Sequence, residues 1–373
     1  MRIALDINGI FGKSGLGQHV KLLVKNLALI DKENEYLLYT HFWAKTSQIK
    51  AIETPESKNF RFVHHNVPET FLLLADFKFN LGITERFLTG HGVEIYHGTG
   101  NIVPKFKKIK TVLTIHHYYP VEGPLTPSGL NWREKFYFRC TDYSIPVADF
   151  IITDSASTKS EIIRKFNARE NRVAVIYPGP PDAAYRPLEK NQSGKYILFV
   201  GPINERKNLP RFLEAYSILV KKGLKHNLFI AGTGKDNYMN LIKKLCSELK
   251  IQDRIVFTGK ISPQEVVHFY NNAEFLVYPS LYEGFGYPPL EAMACGCPVA
   301  ASNATSIPEI TGDAAVLFDP YNAEEIAQAM ENLSKDSDLR QELIKKGFEQ
   351  VKKFSWEKTA KQTLDVYKKV LGK

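Results

Sequence analysis

The chain has 373 residues, of which 44% are hydrophobic and 24% charged, with a net charge of +9. That length suits two domains with sizeable cores, and the composition excludes a disordered or fibrous chain. The positive excess is spread over both halves, which argues against a nucleic-acid-binding arm and leaves anionic small substrates or an anionic membrane surface as partners.

In chain order, residues 2–7 read as a first buried strand. Gly9, Gly12, Gly15 and Gly17 follow, and from His19 to Ile30 apolar residues recur at helical spacing. Strand, glycine loop and helix open a doubly wound α/β unit. The G-x-G-x-x-G order is missing and no acidic residue closes a second strand, so a dinucleotide site is rejected. Residues 35–40, 60–64 and 93–97 read as further strands. Residues 68–77 read as a core helix, or alternatively as an acceptor- or membrane-docking face. The basic run at 105–110 reads as a solvated loop, with attraction to anionic lipid headgroups as the second reading, at about 1 kcal/mol per charge. Strand 111–115 ends at His116 and His117, where α/β sheets place their chemistry. Residues 118–140 are rich in aromatics and cations and are expected to line an acceptor cleft. Strand 150–153, a helix capped at Ser155 and strand 172–176 complete the first half. The Pro/Gly cluster at 177–182 marks a domain boundary.

The pattern then restarts. Strand 195–200 runs into Gly201, Arg206 and Lys207 ahead of a helix from Pro210, an arrangement that suits a phosphate. Strands follow at 227–231 and 254–259, and Ser262 with Glu265 forms a capping box. Residues 274–278 form a buried strand leading to Glu283, Gly284, Phe285 and Gly286, then Pro288, Pro289 and Glu291, with Gly296 at the helix end. Glycines allow close backbone approach, and the prolines suit a first helical turn. Glu283 therefore belongs to the loop and Glu291 to the helix. On one continuous helix they would lie about 80° apart. Loop amides and a helix N-terminus between them seat an anion such as a diphosphate, and carboxylates accept from sugar hydroxyls. Asp336 and Asp338 match a D-x-D metal pattern but fall in a charged helical region, so no metal is expected. Residues 354–371 form an amphipathic terminal helix. The four cysteines (Cys140, Cys246, Cys295, Cys297) show no metal or disulfide-scaffold spacing, which points to a reducing cytoplasm. No signal peptide is expected ahead of the first strand, and no apolar run approaches the roughly 20 residues that span a bilayer. Contact with the membrane's inner face would therefore be peripheral.

The stretch from Glu283 to Glu291, continued through Pro308, Glu309 and Gly312, resembles the E-x7-E signature of retaining glycosyltransferases of family 4, with the GT-B fold. That resemblance implies two Rossmann-like doubly wound parallel-sheet domains facing each other across a cleft, at 1–180 on the acceptor side and 181–355 on the donor side. Residues 356–373 would cross back to the first domain. It implies that Glu283 holds donor-sugar hydroxyls, that Glu291 holds the ribose and that Lys207, assisted by Arg206, neutralises the leaving diphosphate. His116 contacts the sugar or the acceptor side. Gly15 and Gly17, after Ser14, face the donor phosphates, Gly284, Phe285 and Gly286 form the sugar loop, and Gly259 to Ile261 forms the base wall. The family's usual aspartate after the strand-end histidine is His117 here, and its arginine after the strand glycine is Pro202.

The resulting expectation is an enzyme without cofactor that moves a hexose from a nucleotide sugar to a glycan or polyprenyl-diphosphate-linked acceptor. His116, Lys207 and Glu283 would be its catalytic residues. Similarity to bacterial polysaccharide mannosyltransferases favours GDP-mannose, with a UDP-hexose second. An epimerase or phosphorylase on the same fold, and a silent nucleotide- or saccharide-binding subunit, are the rival readings.

Overall fold

The computed structural model describes residues 1–11, 15–40, 57–118, 131–189 and 196–373. They divide into two compact units: the described residues among 1–179 together with Ser355–Lys373, and Pro180–Phe354. Ser14, the first residue of the strand expected at 195 and residues 119–130 of the expected acceptor cleft lie outside the described residues.

In the first unit, strands β1 (Arg2–Asp6), β2 (Glu35–Thr40), β3 (Phe60–His64), β4 (Ile95–Gly98), β5 (Lys110–Ile115), β6 (Phe150–Thr153) and β7 (Val173–Val175) form one parallel sheet. The order is β3-β2-β1-β4-β5-β6-β7. A parallel sheet is covered on both faces, so its strands read as continuous apolar runs. Ile3, Ala4 and Leu5 are accordingly all fully buried. Helices α1 (Gly15–Ile30), α2 (Glu69–Leu73), α3 (Ile83–Gly90), α4 (Trp132–Val147) and α5 (Ala156–Phe166) provide the connections. Ser155 starts α5 as expected, its Oγ accepting from the Thr158 amide. The segment at 68–77 differs from a plain core helix. It is α2 followed by one widened turn at Leu74–Lys78, with Leu72 and Ala75 inward and Phe71 52% exposed.

The second unit repeats the plan with β8 (Tyr196–Val200), β9 (Asn227–Ala231), β10 (Ile255–Gly259), β11 (Phe275–Tyr278), β12 (Val299–Ser302) and β13 (Val316–Phe318). These are all parallel, in the order β10-β9-β8-β11-β12-β13. Its helices are α6 (Leu209–Lys221), α7 (Asp236–Glu248), α8 (Pro263–Asn272), α9 (Tyr287–Ala294), α10 (Ile307–Thr311), α11 (Ala323–Lys335) and α12 (Ser337–Lys352). The capping box of Ser262 and Glu265 opens α8, and Asp336 caps α12 by accepting from the Leu339 amide. That contact accounts for the first aspartate of the D-x-D pattern.

The last helix, α13 (Trp356–Val370), packs on α1 in the first unit. Tyr367 Oη lies 2.6 Å from His97 Nδ1. The Trp356 indole lies so close to Gly179 that a Cβ there would sit 2.3 Å from the ring, so only glycine fits. In both sheets the strand order reverses beside the first strand, between β1 and β4 and between β8 and β11. Ligands of open α/β sheets bind outside the carboxyl ends at that point.

Candidate functional site

In the second unit, the residues singled out from the sequence gather at the β8/β11 reversal. The loop after β8 carries Arg206 and Lys207, and the loop after β11 carries Glu283. Lys207 Nζ donates to Glu283 Oε1 at 2.7 Å, and Arg206 NH1 reaches Glu283 Oε2 at 2.5 Å. Tyr278, the last residue of β11, joins them. Its Oη donates to Glu283 Oε1 at 2.8 Å and lies 2.6 Å from Lys207 Nζ. Burial disfavours the Glu283 carboxylate, but the charges of Arg206 and Lys207 outweigh that and hold its pKa well below the carboxylate range. Burial pushes Lys207 down to about 8, against the pull of Glu283 and with the repulsion of Arg206. Both cations are thus charged at neutral pH and share one carboxylate.

The loop is fastened from several sides. The Leu281 amide donates to the Arg206 carbonyl at 2.9 Å, and Arg206 NH1 also donates to the Tyr282 carbonyl. Ser306 Oγ donates to the carbonyls of Glu283 (3.0 Å) and Phe285 (2.8 Å). The Glu283 amide donates to Thr305 Oγ1 at 3.0 Å, and Thr305 adopts a left-handed φ of 52°. That conformation costs a β-branched residue on the order of 1–3 kcal/mol and marks a constrained segment. Gly286 has φ 106° and is the N-cap of α9, where a Cβ would meet Ile307 Cδ1 at 2.6 Å. No side chain caps α9, and Pro288 and Pro289 in its first turn carry no N–H, so this end offers an anion the positive end of the helix dipole rather than a row of amides.

Glu291 projects from α9, partly buried. Tyr270 Oη donates to its Oε2 at 3.0 Å and Tyr185 bonds to it as well. Burial raises its pKa to about 7, only partly offset by the two tyrosine hydroxyls and by the charge of Lys207. Phe285 is buried in the core against Phe354 and Tyr287, and Ile261 packs against the same cluster. The Phe285 side chain is thus turned into the core, while Ile261 stays partly exposed at its edge. Gly259 ends β10 with φ 70° and open space around its α-carbon. Gly284 is buried within the loop.

His116, Gly15 and Gly17 belong to the first unit. Gly15 begins α1, exposed, with nothing near its α-carbon, and Gly17 is buried two residues on. His116 follows β5 and is 9% exposed. Its Nδ1 lies 2.6 Å from Asp154 Oδ2 and its Nε2 lies 2.7 Å from the Thr99 carbonyl, while Asn101 Oδ1 accepts from its amide. His19 of α1 meets it edge-on at 4.6 Å between ring centroids. His19, His116 and Asp154 bring one potential metal-ligand atom each within 4.8 Å of one another. Both ring nitrogens of His116 are already engaged, however, so the cluster reads as a buried ion pair. Sequence reasoning missed Tyr278, Tyr270, Tyr185, His19 and Asp154. Tyr278 and Tyr270 end or precede the very strand that carries the motif, and Asp154 follows a strand end as His116 does. That position was the available signal.

Among known proteins, residues 13–182 match the family described as Glycosyltransferase Family 4, and residues 182–350 match Glycosyl transferases group 1. O-antigen chain mannosyltransferase B of Escherichia coli is 29% identical over 379 residues, spanning 95% of this chain and 96% of that protein. Serotype-specific mannosyltransferase WbdA of Escherichia coli is 29% identical over 276 residues, 70% of this chain, which corresponds to 34% of that longer protein. In fold, sucrose-phosphate synthase of Thermosynechococcus elongatus superposes with a TM-score of 0.74 at 21% identity, covering 100% of this chain and 99% of that one. The chain belongs to the glycosyltransferases of group 1 and family 4, and it is a glycosyltransferase built on two Rossmann-like units.

Proposed function

We propose that this chain transfers a hexose, mannose in the first instance, from a nucleotide sugar to a hydroxyl of a glycan carried on polyprenyl diphosphate, with retention of configuration. The bond from the sugar C1 to the diphosphate breaks, a bond from C1 to the acceptor oxygen forms, and the acceptor hydroxyl loses its proton. The observation that carries the reading is the shared carboxylate at the β8/β11 reversal. Arg206 and Lys207 are set by Glu283 beside an uncapped helix N-terminus, leaving net positive charge where a departing diphosphate accumulates negative charge. The Glu283 carboxylate is held by these two cations and by Tyr278, so its first task is to place them. Sugar hydroxyls would share its remaining acceptor capacity. Glu291 would take the ribose diol, and the backbone from Gly259 to Ile261 the base. Similarity to O-antigen chain mannosyltransferase B along 95% of this chain supports mannose as the sugar and a polysaccharide chain as the acceptor, and GDP-mannose is the donor proposed with it.

Work on such an acceptor belongs at the cytoplasmic face of a membrane. Among the described residues no helix is long and apolar enough to cross one. The first unit exposes Phe71, Phe79 and Leu81. Exposed Lys78 and Arg86 lie in the same stretch of chain, and Glu85 accepts from the amides of Lys107 and Lys108 in the basic loop. Apolar anchors ringed by cations suit an anionic lipid surface.

The deciding test is thermal stability with GDP, UDP and ADP and their hexose conjugates, on wild type and Glu291→Ala. At 100 times its dissociation constant a ligand adds about 2.7 kcal/mol. A rise with GDP and GDP-mannose that Glu291→Ala abolishes is the expected result. A rise with UDP alone transfers the assignment to a UDP-hexose. No rise with any of them overturns the nucleotide-sugar reading in favour of a silent subunit.

A further inference from the structure

The first unit contains a buried charge that the donor-site chemistry leaves unexplained. His116 Nε2 faces the Thr99 carbonyl at 2.7 Å, and a backbone carbonyl can only accept, so Nε2 carries a proton. His116 Nδ1 faces Asp154 Oδ2 at 2.6 Å. With an ionised aspartate that nitrogen is a donor too, and the ring is an imidazolium. The geometry around the pair supports that charge state. The His116 amide is held by Asn101 Oδ1, and Asn101 itself sits at φ 67°, so the loop after β4 is shaped to grip this ring. His19 packs edge-on against His116 from α1, with its Nδ1 buried and without a hydrogen-bond partner, as a neutral ring beside a cation would be.

We propose that Asp154 is a positioning residue for the transfer reaction: it holds His116 as a fixed imidazolium at the carboxyl end of β5, so that His116 serves by permanent charge rather than by a free ring N–H. The proposal rests on the reading that His116 takes part in transfer. It differs from the expectation that His116 donates to sugar hydroxyls, since both its N–H groups are taken by protein acceptors.

The titratable groups facing His116 are few. His19 comes from α1, Asp154 from the end of β6, His97 from β4, and His117 is its neighbour in the chain. Trp356 of α13 packs on His19 and brings no charge. Burial works against the His116 imidazolium, but Asp154 and the Thr99 carbonyl outweigh it and raise its pKa. Burial likewise works against the Asp154 carboxylate, and His116 overcomes this and lowers its pKa. His19 is driven down to about 4 by burial and then by the charge on His116, and His97 to about 3 by burial with both histidines adding. The cluster thus holds a single protonated ring at neutral pH.

The test combines ring-nitrogen NMR of histidine with the pH dependence of GDP release from GDP-mannose, using a polyprenyl-diphosphate-linked glycan as acceptor. The variants are Asp154→Asn, Asp154→Glu and His116→Asn, each checked for a cooperative melt. The wild type should show one histidine with both nitrogens protonated up to pH 8 and a kcat flat between pH 6 and 7, below the range in which Lys207 loses its proton. Asp154→Asn should lose that signal at pH 8, with kcat down on the order of 100-fold there and partly recovered at pH 6. Asp154→Glu should restore the flat profile, an outcome a merely structural role would not produce. A neutral His116 in the wild type overturns the proposal, as does a pH-flat, fully active Asp154→Asn. If His116→Asn is fully active, the reading of His116 as a participant fails and the positioning role falls with it. A large loss in His116→Asn alongside an unaffected Asp154→Asn overturns the role of Asp154 alone.

Discussion

Each unit keeps a buried ion cluster at the carboxyl ends of its parallel strands, and the two clusters differ in balance. In the first unit one imidazolium meets one carboxylate, and the charges close on themselves. In the second, Arg206 and Lys207 both pair with Glu283, so two cations share one carboxylate. A closed pair shapes a fixed local field, whereas an open cluster attracts a further anion. Holding two cations beside one carboxylate, with Lys207 buried, is costly unless the geometry offsets it. That difference underlies the proposal that the diphosphate is handled in the second unit.

Removing the carboxylate tests this most severely. Glu283→Ala leaves Lys207, only 3% exposed, beside Arg206 without the carboxylate it is hydrogen-bonded to. It should cost about 3–5 kcal/mol of stability, read as a melting midpoint lower by roughly 10 °C. A diphosphate added to this variant should recover part of the loss. If the variant melts like wild type, the two clusters do not differ as described. Lys207→Met should instead keep most of the stability, because Arg206 still pairs with Glu283. Its kcat should fall by about 100- to 1000-fold, checked by GDP release from GDP-mannose.

Glu291 offers a pH test with a definite sign. Its folded pKa of about 7 lies above the ordinary carboxylate value because it is buried. Between the ordinary value and 7 the folded protein binds more protons than the unfolded chain, so this group's contribution to stability is full at low pH and is lost as pH rises to 7. The loss should amount to roughly 1–3 kcal/mol and be absent in Glu291→Gln, as seen in denaturant titrations at pH 5 and pH 7.5. Glu283, held low by its two cations, contributes in the opposite sense, losing stability only as pH falls below the carboxylate range. The smallest effect is expected from Tyr278→Phe, which deletes one hydroxyl shared by Lys207 and Glu283. A loss of about 1 kcal/mol and of about tenfold in kcat would show that the hydroxyl tunes the cluster without holding it together.

Much of this was legible in the sequence because its local signals agree with the fold. The buried strands are apolar and bounded by glycine and proline, so the strands at 35–40, 60–64, 150–153 and 227–231 keep their expected bounds. Gly286 and Gly296 stand at left-handed positions that only glycine fills easily. β13 carries just Val316–Phe318, too short for any period to show. The segment at 68–77 read as core because it is apolar, but Phe71 in its short helix is left half exposed. At the site, glutamates and a lysine in glycine loops announce themselves. What escaped are partners brought in through space: Tyr270, 21 positions from Glu291, and Asp154, 38 positions from His116. Their pairing is decided by which strands lie side by side, information the linear pattern holds only through the completed topology.

The packing of α13 on α1 has a consequence for the order in which a ribosome releases the parts. The face of α1 that carries His19 is covered by Trp356 only after the whole of Pro180–Phe354 has been made. At about 5–20 residues per second, that delay is roughly 10–35 s. Throughout it the second unit is free to close, while the first holds an apolar helix face open. The nascent chain is therefore most exposed to chaperones and to misassociation on its earliest-made half, and a truncation before Ser355 should leave that half the stickier of the two.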